Sequence, residues 1–296
     1  MFESAIENAL KFTRPLHTIS RTYSGLVSPG SATYFFVNDS GVAITCKHVS
    51  NLIPHAENLN KTFLKFKAER DKLVKDNKYR KNLQGLEAKY KYNKETTVQL
   101  KNNFLNCFDK FDQIVCHSHP TLDLAILEFK GFNKILYTSH AIFIKDGKSI
   151  KQGKYLCRVG FPFPEFNNFR HNPDTDDIEW TKSGNPNSPL FPIDGIVTRF
   201  VGHPDPGGFA GIEMSNPGLR GQSGGPLFDV NGIVYGVQSL TNHLHLGFDI
   251  KDKEIIHEGK KSKISNYPFL HVGICVHVDR IKEFLTQHKI VFAESD

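Results

Sequence analysis

The feature that most narrows the folds open to this chain is a series of short runs rich in β-branched and aromatic residues, broken by turn residues. TYFFV is followed by NDSG and VAIT; DLAILEF, KYLCRVGF and GIVTRFV come next; PLFDV, NG and IVYGV follow, and LHVGICVHV closes the series. Many short strands punctuated by Gly, Asn and Asp describe an all-β barrel or sandwich. Asn231-Gly232 between two apolar runs reads as a type I′ hairpin turn, which needs positive φ at both central residues. The alternation Val42, Ile44, Cys46 predicts a strand with one buried face. At 296 residues, the chain has length for one large domain or two compact lobes.

Elsewhere the β texture gives way. Residues 1–12 carry apolar side chains at Phe2, Ile6, Leu10 and Phe12, the pattern of a short amphipathic helix. From about 57 to 106 the chain is Lys-rich and almost free of Gly and Pro, with Phe63, Leu64, Phe66 and Ala68, then Leu83, Leu86 and Tyr90, at helical spacing. Two helices are expected there, meeting near Gln84-Gly85 or between Asn77 and Lys81. Residues 162–192, with six prolines and the single Trp180, and the charged stretch 249–267 read as long loops. The 24 phenylalanines form no motif of their own.

Charge is concentrated in the Lys-rich segment. Between Lys61 and Lys101 there are thirteen Lys/Arg against five Asp/Glu, a balance of +8, whereas the whole chain carries +6. The remainder is nearly neutral, which argues against a general nucleic-acid-binding surface. The first residues, MFESAIENALKF, have neither a basic start nor a continuous apolar run, so no secretory signal is read, and no window approaches a membrane span. Cys46, Cys107, Cys116, Cys157 and Cys275 are odd in number and widely spaced, the pattern of reduced core thiols. A cytoplasmic location is expected.

Three motifs carry chemistry. GVAITCKHVS places His48 just beyond an apolar strand, and HPTLDLAILEF places Asp123 where another begins. A carboxylate there is costly to bury without a partner. GLRGQSGGPLF supplies Ser223. Serine needs a base to become a nucleophile, and the oxyanion it creates needs donors already aimed at it. Gly221 lets its N–H point into the site beside that of Ser223, while Gly224 and Gly225 are expected to keep side chains out of the way of an acyl group. HEGKKS lacks the glycine and hydroxyl of a phosphate loop. Cys116, His117 and His119, and the pair His243 and His245, lack a second dyad at zinc spacing, so no metal or other cofactor is expected.

The ordered set His48, Asp123, Ser223 resembles the trypsin-like (chymotrypsin-fold) serine peptidases, above all the disulfide-free bacterial branch that includes the high-temperature-requirement proteases. GSATYFFVNDSGVAITCKHV, GKYLCRVGFP, GIVTRF, VNGIVYGVQS and VGICVHVDRIKEFL extend the resemblance over most of residues 23 to 288. It implies two six-stranded antiparallel β-barrels with the active site between them, a helical hairpin inserted in the first and a C-terminal helix. The expected division is 13–135 for the first barrel, 136–277 for the second and 278–296 for the helix and tail. It further implies a Ser-His-Asp triad acting through a covalent acyl-enzyme, an oxyanion hole from Gly221 and Ser223, and Ser239 in support of the aspartate.

The chain departs from the family in three places. Gln222 stands where digestive members carry an aspartate that pairs with a newly cut amino terminus, so activation by trimming is not expected. Pro217 matches the floor of the pocket for P1, the residue on the acyl side of the scissile bond, and offers no charge; a small or apolar P1 is expected. Arg220 is a cation beside the oxyanion glycine. The leading expectation is an intracellular serine endopeptidase acting on protein or peptide substrates. It would be latent if a partner must first act on the loops, with the basic insertion as a docking site for a regulatory protein. The alternative is a catalytically inactive binding module of the same fold.

Overall fold

The computed structural model describes residues 1–202 and 209–296. After helix α1 (Glu3–Phe12), a first six-stranded sheet contains β1 (Thr13–Thr22), β2 (Val27–Phe36), β3 (Val42–Thr45), β4 (Thr97–Phe104), β5 (Gln113–Ser118) and β6 (Ala125–Lys130), in the order β4-β1-β2-β3-β6-β5. Helices α2 (Lys47–Ser50), α3 (Leu52–Arg70) and α4 (Tyr79–Tyr90) lie between β3 and β4. The second sheet and its decorations run through β7 (Ile142–Phe143), β8 (Tyr155–Gly160), β9 (Phe169–Asn172), β10 (Asp177–Trp180), β11 (Phe191–Gly202), β12 (Phe209–Met214), β13 (Pro226–Phe228), β14 (Val234–His245), β15 (Ile250–His257), β16 (Lys260–Asn266), β17 (Phe269–His277) and β18 (Ala293–Glu294), with α5 (Val278–Gln287) before the last.

In the second barrel the order β13-β8-β11-β12-β17-β14 returns on itself through a β13–β14 pairing, so six strands close a ring. The first barrel curls without β4 and β5 pairing among the described residues, and aromatic rings fill its interior. Phe36 stacks on Tyr137 at 3.7 Å and Phe108 on Phe132 at 4.2 Å, with Phe104, Phe111 and Phe129 packed edge-to-face around them. This gives many of the phenylalanines a purpose, because large rings fill volume that a small barrel's backbone leaves open. Helix α1 spans both barrels: Phe12 meets Phe35, and Phe2 meets Phe228 and Tyr155. Its buried face is Phe2, Ala5, Ala9 and Phe12 rather than the expected stripe through Leu10, which is exposed.

Several expectations are corrected. The helical insertion does not reach residue 106: Thr97–Phe104 is β4, a strand with Val98 and Leu100 buried that pairs with β1. The helices meet across residues 71–78, which overlaps the second predicted junction, while Gln84 and Gly85 lie inside α4. Phe63, Phe66, Leu86 and Val98 form their small core, whereas Leu64 is exposed. The stretches 162–192 and 249–267 carry the hairpins β9–β10 and β15–β16. Strand β3 is buried on both faces, since it lies between a barrel interior and the other barrel. In the β13–β14 hairpin only Gly232 has positive φ, so the turn is not type I′; Asp229 Oδ1 instead accepts from the N–H groups of Asn231 and Ile233.

All five cysteines are free, and no helix among the described residues is long and apolar enough to cross a membrane. His17 on β1 is fully buried, stacks on Phe166 at 4.0 Å and shares a 2.8 Å hydrogen bond between its Nε2 and Ser188 Oγ on the 162–192 segment. Burial pushes its imidazole from 6.5 down to about 4. The unfolded chain therefore takes up a proton that the native state refuses. The contribution of His17 is present in full above about pH 6.5 and is lost as the pH falls toward about 4. Urea midpoints at pH 7.5 and pH 4.5 are expected to differ less for His17→Phe than for the parent; an unchanged difference would exclude His17 as a contributor.

Candidate active site

Strand register brings the first two motif residues together. Thr45 on β3 pairs with Ala125 on β6, so the chain leaving β3 runs beside the chain entering β6, and His48 on α2 meets Asp123. His48 Nδ1 lies 2.8 Å from Asp123 Oδ2, and the His48 backbone N–H donates to Oδ1 at 3.0 Å. Ser239 Oγ donates to Oδ2 at 2.7 Å. Burial pushes the Asp123 carboxyl up, but these three hydrogen bonds outweigh it and hold the group down at about 2. The carboxylate thus keeps a proton on Nδ1 and leaves Nε2 free to act as a base.

Ser239 reaches Asp123 because β14 is irregular there. Gln238 pairs with Cys275 and Leu240 with the adjacent Ile274, which leaves Ser239 as the extra residue of a bulge. A bulge frees one residue from the ladder and re-aims its groups. The Ser239 hydroxyl turns to Asp123, and its carbonyl accepts from Ser223 Oγ at 3.1 Å. Ser223 therefore shares the cleft with His48 but is not hydrogen-bonded to it. The neighbouring Cys46 thiol donates to the Gln238 carbonyl at 3.1 Å, and burial pushes it well above the ordinary thiol range, so it stays protonated.

The loop carrying Ser223 is held from both barrels. Gln222 N–H bonds to Leu219 O at 3.0 Å across a turn whose third residue, Gly221, has φ of +97°, the left-handed value a type II turn requires there. The N–H groups of Gly221 and Ser223 meet no protein acceptor among the described residues, leaving two donors beside the Ser223 side chain. Thr33 of the first barrel donates from Oγ1 to Gly221 O at 2.7 Å, and its own N–H donates to Ser223 O at 3.0 Å. The side chain of Gln222, fully buried, accepts from Leu219 N and donates to Phe191 O. Two neutral hydrogen bonds thus pin the turn without an amino-terminal ammonium.

The expected role of two glycines changes. A Cβ on Gly224 would overlap the Thr33 carbonyl and the Thr45 hydroxyl, and one on Gly225 would overlap the Val159 carbonyl. Gly224 lets the loop's backbone meet the first barrel, and Gly225 lets it close on β8 of its own barrel, rather than clearing room for an acyl group. Thr33, Gln238 and the β14 bulge were not singled out from sequence, because each acts through partners remote along the chain.

His48, Ser223 and Ser239 line a cleft of about 580 Å³ together with Pro217, Arg220 and Thr241. Arg220 is exposed. The histidines weighed as metal ligands have other partners: His117 Nε2 meets Glu128 at 2.6 Å, His243 meets His271, and His245 meets Asp249.

No protein-family model matches the sequence, and no curated protein matches it. Solved structures similar to it include the HtrA-type protease AlgW with a tripeptide, at 14% identity and TM-score 0.47, covering 98% of this chain and 65% of that one. The active form of the Rv3671c protease from M. tuberculosis matches at 13% identity and TM-score 0.47, covering 98% and 86%. This chain thus spans just under two thirds of the AlgW chain it matches. At these values the likeness is one of shape, and it assigns neither residues nor an activity to this chain.

Proposed function

We propose that this chain is a serine endopeptidase. The observation that carries the reading is the Asp123 carboxylate, bonded at once to His48 Nδ1, His48 N–H and Ser239 Oγ in the cleft that holds Ser223. In the proposed reaction Ser223 Oγ turns from Ser239 O to His48 Nε2, gives up its proton and attacks the scissile carbonyl. The oxyanion falls to the N–H groups of Gly221 and Ser223. His48 returns the proton to the leaving amine, and water then hydrolyses the acyl-enzyme by the same steps.

The contact between Ser223 Oγ and Ser239 O supports a latent variant of this reading, in which a partner bound at the basic insertion or the long loops frees the hydroxyl. Five free thiols, four of them buried, fit a reducing compartment, and the proposal places the enzyme in the cytoplasm. A fluorophosphonate probe should label the parent and not Ser223→Ala. Labelling only after a partner is added would identify the latent form. No labelling under any condition would overturn the peptidase reading in favour of a binding module.

A further inference from the structure

The floor of the cleft conceals a charge. Arg158 on β8 has no solvent exposure. Its Nη1 donates to Gln238 Oε1 at 2.5 Å, and its Nη2 donates to Asn216 O at 3.0 Å and Pro217 O at 3.1 Å. Its Nε has no partner, and no carboxylate forms a salt bridge with it among the described residues. Gly273 leaves the space that the guanidinium fills, since a Cβ there would overlap Nη1. A buried guanidinium held only by neutral acceptors is an uncompensated positive charge.

That charge also orients the floor. A guanidinium offers only donors, so it fixes the Gln238 carbonyl oxygen toward itself and turns the amide nitrogen away. Gln238 Nε2 donates to Leu240 O at 3.0 Å, which leaves its second hydrogen unassigned on a residue that lines the cleft. A Cβ on Gly218 would overlap that nitrogen, so Gly218 lets the amide lie against the cleft wall. Arg220, His243 and His271 complete the titratable and charged lining apart from His48, and no Asp or Glu lines the cleft. His243 and His271 face each other, with their Nδ1 atoms 2.6 Å apart. Asp123, the carboxylate at the edge of this site, is committed to His48 and Ser239.

We infer that the pocket selects an acidic P1 residue, with Arg158 and Gln238 as its specificity-determining pair and Arg220 attracting the acid at the rim. This departs from the small or apolar preference expected from Pro217 alone. The inference rests on the peptidase reading for its biology, but recognition is separable from turnover. A positive floor repels Lys and Arg and leaves a buried apolar P1 without compensation for the cation beneath it, whereas a carboxylate supplies the missing counter-charge.

Two measurements test it. Peptides ending in Glu, Gln, Leu or Lys, which mimic the acyl-side product, are titrated into Ser223→Ala by calorimetry. Fluorogenic substrates with the same four residues at P1 are given to the parent. The Glu peptide is expected to bind at least 10-fold tighter than the Leu and Lys peptides, and kcat/KM to favour Glu by about 100-fold. In Arg158→Met the Glu advantage over Gln should vanish and the Leu peptide should bind more tightly than it does to the parent. Should that variant fail to fold, the parent's Glu-to-Gln ratio and its decline with added salt decide instead. Equal binding of Glu and Gln, or a preference for Leu or Lys, would overturn the inference. Terminal-Glu binding without hydrolysis or probe labelling would retain the pocket assignment and sink the peptidase reading alone.

Discussion

Ser223→Ala is expected to lower kcat for peptide hydrolysis by about a million-fold, the size seen when a triad nucleophile is removed. The reason is local. Ser223 Oγ makes one hydrogen bond, to Ser239 O, while Asp123, His48 and the Ser239 hydroxyl keep their mutual contacts without it. The loop stays anchored through backbone atoms by Thr33 and through the Gln222 side chain. Thermal stability should therefore stay within about 1 kcal/mol of the parent, since one partly exposed hydroxyl is lost. His48→Ala should cost a similar factor, and the double variant little more than either alone, because the residues act as a unit. Single-turnover hydrolysis with thermal unfolding of each variant is the measurement. A loss below about 100-fold for Ser223→Ala would mean that another group attacks the substrate.

Asp123→Asn is expected to reduce kcat by about 10,000-fold. An amide in place of the carboxylate can present NH2 to His48 Nδ1, which then becomes an acceptor and moves the ring proton to Nε2. The nitrogen that must take the serine proton is then blocked. The same replacement has a pH signature in stability. The folded-state carboxyl is held at about 2 against 3.8 for the free group, so its contribution is present above about pH 4 and is lost as the pH falls through about 2. Unfolding midpoints of parent and Asp123→Asn should differ above pH 4 and converge toward pH 2; a constant gap would show that the loss is one of packing.

Much of the molecule was legible from short stretches because its chemistry is written locally. The turn glycine Gly221, the strand ahead of His48 and the acid that opens β6 each depend on a few adjacent residues. What escaped had its cause elsewhere in the chain. The ribbon β15–β16 read as a loop because nearly all of its side chains are exposed, so no apolar alternation marks it. Strand β4 was absorbed into the basic helices because lysines surround it. A charged residue within YLCRVGF was visible, yet nothing adjacent says that Arg158 ends against Asn216, Pro217 and Gln238.

The sequence by itself determined the strand-rich architecture and singled out His48, Asp123 and Ser223, because turn chemistry, side-chain alternation and functional groups are properties of neighbours along the chain. Only the tertiary structure decided which acceptor Ser223 holds, that Gly224 serves the barrel interface while Gly225 closes on β8, that Gln222 pins the turn, and that a buried cation lies under the pocket. Those facts depend on distances between residues far apart in sequence, fixed by strand register and by the meeting of two barrels, and no local pattern encodes them.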